Sequence, residues 1–595
     1  MKIDQSKIRN IAIIAHVDHG KTTLVDKLFK QSGMFRDNQV VEERMMDSMD
    51  QEKERGITIS SKNGAFHYKE YLVNIIDTPG HADFGGQVER IMKMADGALL
   101  LVDAQEGPMP QTYFVLKKAL AYKLPVIVVI NKIDRPHARP EWAVNEVFDL
   151  FVKLEAPDNI LDFPVIYASA KDGYAVNDFH ETGVNMIPLL DEIIAKIPPP
   201  KGDRHAPLQL QVTSIDYSSF LGRLGIGKIT SGHVTKNQAI VVSNDKGELI
   251  PTRISKIYRF DGNKKVESHS AGLGEIVAIA GLDTITVGDT YTDPKEPIPC
   301  ERLQIDPPTI SMNFIPNDSP FSGQDGQFVT SRHLEERLRR ESLSDVALKV
   351  EELDGAPGYK VSGRGELHLS VLIEKMRREG YEFQVSRPQV IMKETAAGVL
   401  EPYEELIIDV DEQYMGTVIE KLGKRKGLLQ EISQSLGMAK LRYVIPTRGI
   451  LGFKAEFMSD TKGLGVMNYI FDSYKPFAGE ITNRVNGVLV SMEECSTVAY
   501  ALFNLQNRGR LFFGPGVKIY KSQIVGEHCR NNDLSVNPAK GKKLTNVRAA
   551  GCDENVVLTP PSIMSLESCI AYINDDELIE VTPKAIRMRK KDFKY

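Results

Sequence analysis

The sequence IAHVDHGKTT (Ile14–Thr23) joins a short apolar run, NIAIIA (Asn10–Ala15), to a stretch with helical periodicity, TTLVDKLFK. A strand, a glycine-bearing turn and a helix are the setting that a phosphate-binding loop requires. Backbone N–H groups and the positive end of the helix then face the anion. In such a loop Lys21 reaches the β- and γ-phosphates, and the Thr22 hydroxyl binds Mg²⁺. Ala15 replaces the usual first glycine and still permits close approach of the backbone.

Two further segments supply groups for the metal and the γ-phosphate. LVNIIDTPGH is a second buried strand with Asp77 at its carboxyl end, where a carboxylate can hold Mg²⁺ through water. Gly80, just beyond it, can offer its N–H to the γ-phosphate. RGITI lies between the two strands and contributes Thr58 as a second hydroxyl ligand. The sequence therefore predicts a metal site formed by Thr22, Thr58 and Asp77.

Two later segments point to guanine. A third buried strand, VIVVI, runs into Asn-Lys-Ile-Asp, and the Asp134 carboxylate can accept the N1–H and 2-amino hydrogens that adenine cannot supply. Lys132 can cover the ring, and the backbone of YASAKDG can address the guanine O6. All five segments in this order, each after or between strands, predict GTP as the ligand. The predicted base contacts are Asn131, Lys132, Asp134, Ser169, Ala170 and Lys171.

These segments resemble the GTP-binding domain of the translational GTPases, the class of elongation factors Tu and G, in the forms AHVDHGKTT, RGITI and DTPGH. The resemblance implies that His81 orients the attacking water, and that Val17 and Ile57 form an apolar gate that holds His81 back until a partner acts. Asp18 resembles the aspartate that helps to hold a monovalent cation, K⁺, near the phosphates. The predicted catalytic residues are His81, Lys21, Val17 and Ile57. The predicted nucleotide-binding loop comprises Asp18, His19, Gly20, Lys21, Thr22 and Thr23.

Hydrolysis of GTP depends on positioning and charge stabilisation more than on covalent chemistry. Because no arginine is placed in the sequence as an internal arginine finger, we expect slow intrinsic hydrolysis that a large partner accelerates by moving His81. The acidic run VEERMMDSMDQEKERG (Val41–Gly56) is either a switch loop that GTP orders or an amphipathic surface helix, and both descriptions can hold in different nucleotide states.

Length and composition limit the number of domains, the kinds of partner and the cellular compartment. A chain of 595 residues predicts roughly four or five domains. The net charge of −6 argues against a wholly basic nucleic-acid coat but leaves room for local basic patches. Five scattered cysteines predict reduced thiols in a cytoplasmic protein. No apolar run approaches the roughly 18 residues that span a bilayer, so we expect no membrane partner.

The predicted fold class is multidomain, α/β and α+β. Glycine-punctuated β runs follow the proline-rich AKIPPPKGDRHAP, and RLGIGKITSG resembles domain two of the translational GTPases. SGRGELHL resembles the third domain of elongation factor G, and EPYEELIIDV begins a region that resembles its fifth. No residues remain for the domain between them, which disfavours a translocase. The predicted domains are a P-loop GTPase domain (1–200), a β-barrel (206–300), two ferredoxin-like α+β domains (303–390 and 396–480) and a distinct C-terminal β-rich domain (481–595).

The last 110 residues contain YALFNLQNRGRLFFGPG and NPAKGKKLTNVRAAG, which resemble the TypA/BipA family. That resemblance implies a ribosome-associated GTPase linked to stress adaptation, growth in the cold and assembly of the large subunit. It also implies that a C-terminal loop reaches toward the acceptor end of a tRNA in the A site.

Three basic segments are candidate RNA contacts, each with a solvated alternative. Residues 535–550 contain no acid and include Lys540, Lys542, Lys543 and Arg548, so they form either an RNA-binding loop or a solvated one. The terminal TPKAIRMRKKDFKY either contacts RNA or is a solubilising tail. A basic stripe on two predicted helices either contacts phosphates or is a solvated face, because glutamates interleave with its residues Arg337, Arg339, Arg340, Lys375, Arg377 and Arg378.

The sequence therefore predicts a monomeric, cytoplasmic GTPase that depends on the ribosome and acts in translation under stress or in large-subunit assembly. Its C-terminal domain is expected to contact rRNA or A-site tRNA. Two alternatives remain open: a back-translocating factor of the LepA kind, and a GTP-timed adaptor for a partner other than the ribosome.

Overall fold

The structure is a computed structural model. It describes residues 4–16, 18–32, 50–55, 62–78, 85–218, 221–244, 246–301, 308–345, 347–396, 398–435, 437–481, 484–541 and 557–591. The chain divides into two compact units. The first unit comprises Met1–Asp306 with Leu343–Val346, and the second comprises Pro307–Ser342 with Ala347–Tyr595.

The first unit begins with a mostly parallel sheet covered on both faces. Its described strands lie in the order β2-β3-β1-β4-β5-β6-β7, with antiparallel β2 and β7 at the edges. The strands are β1 (Ile8–Ala15), β2 (Lys62–Tyr68), β3 (Tyr71–Asp77), β4 (Gly97–Asp103), β5 (Val126–Asn131), β6 (Val165–Ser169) and β7 (Tyr174–Val176). The helices are α1 (Lys21–Gln31), α2 (Asp50–Arg55), α3 (Gly85–Met94), α4 (Pro110–Ala121), α5 (Pro140–Lys153), α6 (Asp158–Leu161) and α7 (Ile187–Lys196), after a 3-10 turn at Gln5–Lys7.

Strand β1 is buried along its whole length because alternate side chains enter two different cores. Ile11 and Ile13 pack in the core that also contains Leu24 of α1. Ala12 and Ile14 join the opposite core with residues of α3 and α4. Since β1, β3, β4, β5 and β6 are parallel, their carboxyl ends meet at one edge of the sheet, where an open α/β sheet binds its ligand.

The second part of the first unit is a β domain whose described strands form one nine-stranded antiparallel sheet and a separate two-stranded sheet. Buried Lys228 of this domain forms an ion pair of 2.6 Å with Asp96, which directly precedes β4 of the mostly parallel sheet. The strands are β8 (Gln209–Gln211), β9 (Ser214–Ser218), β10 (Gly222–Ser231), β11 (His233–Thr235), β12 (Ala239–Ser243), β13 (Leu249–Arg253), β14 (Lys256–Asp261), β15 (Lys264–Ser268), β16 (Ser270–Gly272), β17 (Ile276–Ala280) and β18 (Thr290–Thr292).

The second unit contains two sheets with the strand order of a ferredoxin-like fold. The first places β19, β20, β21 and β22 in the order β20-β21-β19-β22, and the second has the order β26-β27-β25-β28. The elements of the first region are β19 (Ile310–Pro316), α8 (Ser331–Ser344), β20 (Lys349–Glu352), β21 (Tyr359–Gly363), α9 (Glu366–Arg378), β22 (Phe383–Ser386) and β23 (Gln389–Val390). Those of the second are β24 (Lys393–Thr395), β25 (Gly398–Asp411), α10 (Glu412–Lys424), β26 (Leu428–Ser435), β27 (Met438–Pro446), α11 (Thr447–Ile450), α12 (Phe453–Asp460) and β28 (Val466–Pro476).

The last region adds a small sheet, in the order β31-β33-β29-β34, and a hairpin that returns to the first ferredoxin-like sheet. Strand β35 pairs with β22, with Phe383 opposite Val581, so the predicted C-terminal domain shares a sheet with the predicted 303–390 domain. The elements are β29 (Val488–Ser491), β30 (Cys495–Ser496), α13 (Ala499–Leu505), a 3-10 turn (Gln506–Arg508), β31 (Gly509–Leu511), β32 (Lys518–Ile519), β33 (Ile524–His528), β34 (Leu534–Val536), α14 (Leu566–Tyr572), β35 (Glu577–Val581) and β36 (Ile586–Lys590).

Most arginines of helices α8 and α9 form ion pairs within the second unit. Buried Arg337 contacts Glu341 at 2.7 Å and Glu379 at 2.5 Å. Arg377 and Arg378 both contact Glu374. These internal ion pairs count against an RNA contact for Arg337, Arg377 and Arg378, and the buried Arg337 is not part of a solvated face either.

The basic residues near the chain end also have internal partners. Arg589 contacts Asp318 at 2.8 Å, and Lys590 contacts Asp533 at 2.6 Å and Asp576 at 2.7 Å. These contacts fix the described part of the terminal segment to the second unit. Residues 592–595 lie outside the described residues. Among the residues that the structure describes, no helix has the length and apolarity to cross a bilayer.

A buried carboxylate binds two cations in the second unit. Glu577 is fully buried and contacts Arg484 at 2.7 Å and Lys590 at 2.9 Å. We expect Glu577→Ala to lower the free energy of unfolding of the second unit by about 3 kcal/mol, because it leaves two largely buried cations without that partner. Urea unfolding followed by circular dichroism measures the loss.

The single tryptophan of the chain, Trp142, lies in the first unit and provides an internal control. Its fluorescence transition should stay at the parent urea concentration in the Glu577→Ala protein. Exposed Glu480, in the same unit as Glu577, is the matched site, and Glu480→Ala should change neither transition. Equal stability of Glu577→Ala and Glu480→Ala would contradict the structural role of Glu577.

Candidate nucleotide-binding site

The predicted phosphate loop lies between β1 and α1. Helix α1 begins at Lys21, and its N-cap Gly20 has φ 91°, in the left-handed region that favours glycine. A Cβ on Gly20 would lie 2.5 Å from the Asn131 side-chain nitrogen, so the close approach also requires glycine. Asp18 is exposed and has φ 65°. The turn therefore brings the loop backbone to the start of an 11-residue helix, as anion binding requires.

Lys21 and Asp77 lie together at the carboxyl edge of the sheet. Their side chains are 9% and 1% exposed, and the Lys21 Nζ is 2.7 Å from the Asp77 carboxylate. Lys21 also donates to the carbonyl oxygen of Thr78, whose hydroxyl donates to Ile13 in β1. Apart from this ion pair, neither Asp77 oxygen accepts a hydrogen bond within the described residues. A buried carboxylate with spare acceptor capacity, paired with Lys21, which directly precedes half-buried Thr22 at the helix start, fits a hard divalent cation.

Asn131 connects the predicted base-binding loops. Its side-chain nitrogen donates to the carbonyl oxygen of His19 at 2.8 Å, and its side-chain oxygen accepts from the Ala170 N–H at 2.9 Å. Ser169 donates to Asp172 at 2.8 Å within the same turn. One buried amide thus holds the phosphate loop and the turn after β6 together.

Lys132 adopts φ 63° and forms a 2.7 Å ion pair with Asp103 at the end of β4. Burial raises the pKa of Asp103, but the hydrogen bonds from Lys132 and from the Gln105 N–H outweigh it, so this pKa lies below its usual value. Asp134 is exposed beyond this pair, where a ligand can reach its carboxylate.

The structure brings together only part of the predicted site residues. Lys21 and Asp77 meet, as do His19, Asn131 and Ala170, while Thr23, Lys171 and Lys540 are described and exposed. The remaining predicted residues lie outside the described residues: Val17, Ile57, Thr58, Gly80, His81, Lys542, Lys543 and Arg548. Of the run Val41–Gly56, residues 50–55 are described as helix α2, whose buried Glu52 pairs with Lys62.

Two acidic residues were missed by sequence reasoning. Asp103 follows the buried run GALLLV, and a carboxylate directly after such a strand was the signal for it. Glu106 carries no comparable signal, because its contact depends on how the loop after β4 folds. Its carboxylate lies 3.5 Å from the buried His19 ring, and the contact with His19 lowers the pKa of Glu106 against the effect of partial burial.

Four known families match the chain in sequence. Their ranges are the elongation factor Tu GTP binding domain at 6–199, elongation factor Tu domain 2 at 222–292, the elongation factor G C-terminus at 398–485 and the TypA/BipA C-terminal domain at 486–595. The matches confirm the predicted multidomain fold class and the predicted resemblance.

Full-length relatives are also similar. The large ribosomal subunit assembly factor BipA of Salmonella typhimurium is 52% identical over 98% of this chain and 96% of its own length. The Escherichia coli (strain K12) protein of that name is 52% identical over 98% of this chain and 97% of its own. The Synechocystis protein of that name is 51% identical over 98% of both chains. A solved Thermus thermophilus structure has a TM-score of 0.56 at 16% identity, covering 80% of this chain and 98% of that one, and shares the fold.

Proposed function

The chain belongs to the TypA/BipA family of translational GTPases, and on that premise we propose that it acts on the ribosome during assembly of the large subunit. As a member of this family, the chain binds and hydrolyses GTP. The proposal rests on relatives named large ribosomal subunit assembly factors, which are 51–52% identical over 98% of the chain. The LepA alternative loses its support because residues 486–595 match the TypA/BipA C-terminal domain.

At the phosphate end of the proposed site, charged groups and a metal ion bind the phosphates of the nucleotide. Lys21 supplies the cation for the β- and γ-phosphates, while the hydroxyls of Thr22 and Thr58 and the carboxylate of Asp77 would hold Mg²⁺. When bound, the metal neutralises charge on the phosphate oxygens. The N–H of Gly80 adds a contact to the γ-phosphate. The close approach of Lys21 and Asp77, at 2.7 Å, supports this assignment because the cation and the metal carboxylate must serve neighbouring phosphate oxygens.

At the base end of the proposed site, hydrogen bonds recognise guanine. Asp134 accepts from N1–H and the 2-amino group of guanine, and Lys132 lies along the ring. The backbone of Ser169, Ala170 and Lys171 addresses O6. Asn131 bonds to both the phosphate loop and the Ala170 turn. A displacement of one of these loops therefore shifts the other.

Hydrolysis is assigned to His81, which orients the attacking water at the γ-phosphate once the gate formed by Val17 and Ile57 opens. Asp18 helps to hold K⁺ beside the phosphates. The ribosome supplies the trigger, so the rate without it is slow. The chain works as a cytoplasmic monomer, under stress or in the cold, with no membrane partner.

The proposed partner of the C-terminal basic loop is RNA. Lys540 is exposed at the start of an acid-free basic run that continues through Lys542, Lys543 and Arg548. Cations in such a loop bind the phosphates of rRNA or of an A-site tRNA by releasing counterions.

Replacing Lys540, Lys542 and Lys543 together by Ala is expected to weaken ribosome binding and to flatten its salt dependence. Each lost phosphate contact lowers the log–log salt slope by roughly 0.7–0.9, so three lost contacts lower it by about 2–3. Ribosome pelleting at several salt concentrations measures the slope. Exposed Lys246, in the β domain of the first unit and outside the three basic segments, is the control site. A slope equal to that of Lys246→Ala would show that the loop is solvated and does not bind RNA.

The test of the proposed function is GTP turnover by the full chain, with ribosomes, with isolated large subunits and without either. Strong stimulation that fades as salt rises supports a phosphate-rich trigger. Depletion of the chain should also leave incomplete large subunits in sucrose gradients. No stimulation by either particle would favour the GTP-timed adaptor and reject the ribosomal role.

A further inference from the structure

The loop that follows β4, Asp103–Gly107, contacts both ends of the candidate site, and we call it the connector loop. Asp103 caps this loop by accepting from the Gln105 N–H at 2.7 Å, and the Gly107 N–H donates to the Asp103 carbonyl oxygen at 2.9 Å. The Asp103 carboxylate also holds Lys132, which belongs to the base-binding loop. The connector loop is therefore closed on itself and joined to the base-binding loop.

Its second link runs to the phosphate loop. His19 is fully buried, and its Nδ1 lies 3.4 Å from the Leu101 carbonyl oxygen. Its Nε2 has no hydrogen bond within the described part of the chain and points at Glu106, whose carboxylate oxygen is 3.5 Å away. That distance is at the outer limit of a hydrogen bond. A small approach of the two loops completes the contact.

From this arrangement we propose that Glu106 is a positioning residue for nucleotide binding: through His19 it holds the phosphate loop against the connector loop. The inference rests on the proposed nucleotide site and adds a residue outside its motifs. Glu106 touches neither phosphate nor base in this scheme. It acts by keeping the His19 backbone, which also accepts the bond from Asn131, in the conformation that binds the nucleotide.

Trp142 packs on the connector loop and serves as a fluorescence probe of it. A Cβ on Gly107, which has φ 73°, would lie 2.9 Å from the Trp142 ring, so the ring packs on this loop. Arg139 stacks 3.9 Å from the ring centre and donates to the Gln105 carbonyl oxygen at 3.2 Å. Because the chain has one tryptophan, its emission reports the connector loop without interference.

The test measures dissociation of a fluorescent GDP from the full chain. Glu106→Ala should release it about tenfold faster than the parent, as the loss of one charge-assisted hydrogen bond predicts. Glu106→Gln should restore much of the effect, because its amide can bond to His19 Nε2 in either tautomer, with the amide oxygen accepting from Nε2–H or the amide N–H donating to an unprotonated Nε2. Steady-state turnover should show a raised KM for GTP with kcat kept. At saturating GDP the Trp142 emission change should shrink in Glu106→Ala.

Exposed Glu146 on α5 is the matched control, since Glu146→Ala removes the same charge from the same domain. Its GDP release should equal that of the parent, and all three variants should melt at the parent temperature. A Glu106→Ala protein that releases GDP within twofold of the parent rate overturns the inference. If the parent itself does not bind GDP, the proposed nucleotide site fails instead, so the two failures are distinguishable.

Discussion

Lys21→Ala should lower the affinity for GTP and GDP about 10³-fold, since two charge-assisted bonds to phosphate at about 2 kcal/mol each are lost. Lys21 is largely buried, so water cannot replace its charge well. The change also leaves the Asp77 carboxylate buried without its 2.7 Å ion pair, which costs about 3–5 kcal/mol of stability. Calorimetric titration with GDP and a thermal melt measure the two effects.

The double variant Lys21→Ala with Asp77→Asn separates binding from folding. The neutral amide removes the unpaired buried charge, so the melting temperature should return toward the parent while the affinity for nucleotide stays lost. Lys27 lies six residues further along α1 with an intermediate exposure, and Lys27→Ala should bind nucleotide normally. Binding of GTP by Lys21→Ala within tenfold of the parent would show that the phosphates lie elsewhere.

His81→Ala is expected to lower the ribosome-stimulated kcat about 10³-fold while the affinity for GTP changes less than twofold. A residue that orients the attacking water acts mainly in the transition state, so its loss leaves ground-state binding intact. This prediction rests on the position of His81 directly after Asp-Thr-Pro-Gly, because His81 lies outside the described residues. Single-turnover hydrolysis on saturating ribosomes measures the chemical step.

Exposed His205 in the proline-rich segment is the control histidine, and His205→Ala should hydrolyse GTP at the parent rate. Ribosome pelleting with a non-hydrolysable GTP analogue should recover both variants equally. A parallel loss of GTP affinity in His81→Ala would assign His81 to binding, and an unchanged kcat would leave water positioning to another group.

Local patterns were sufficient to predict which strand ends meet at the candidate nucleotide site. Asp77 and Asn131 each end a buried apolar strand, so parallel pairing brings them to one edge whatever the rest of the chain does. Gly20 and Lys21 sit where that edge meets the first turn of a helix. The geometry of such a motif can be predicted from the sequence, because residues that are adjacent in the chain remain adjacent in the folded structure.

Charge surfaces could not be predicted in the same way. From the sequence, the basic helices and the basic chain end were interpreted either as RNA contacts or as solvated segments, whereas the structure pairs many of their cations internally. Arg337 and Glu379 are 42 residues apart, and Arg589 and Asp318 are 271 apart, yet each pair is in contact. Whether a cation is available to a partner depends on such distant carboxylates, and the sequence pattern near the cation does not contain them.

The sequence by itself thus determined the GTP-binding family and the order of its matched domains, and it predicts which residues face the phosphates and the base. Tertiary structure alone decided that β35 and β36 return to an earlier sheet, that Glu577 binds two cations, and that Glu106 reaches His19. The physical reason is the range of the interactions involved. Motifs act through backbone geometry over a few residues, whereas strand pairing and buried ion pairs form between segments that only the completed fold brings together.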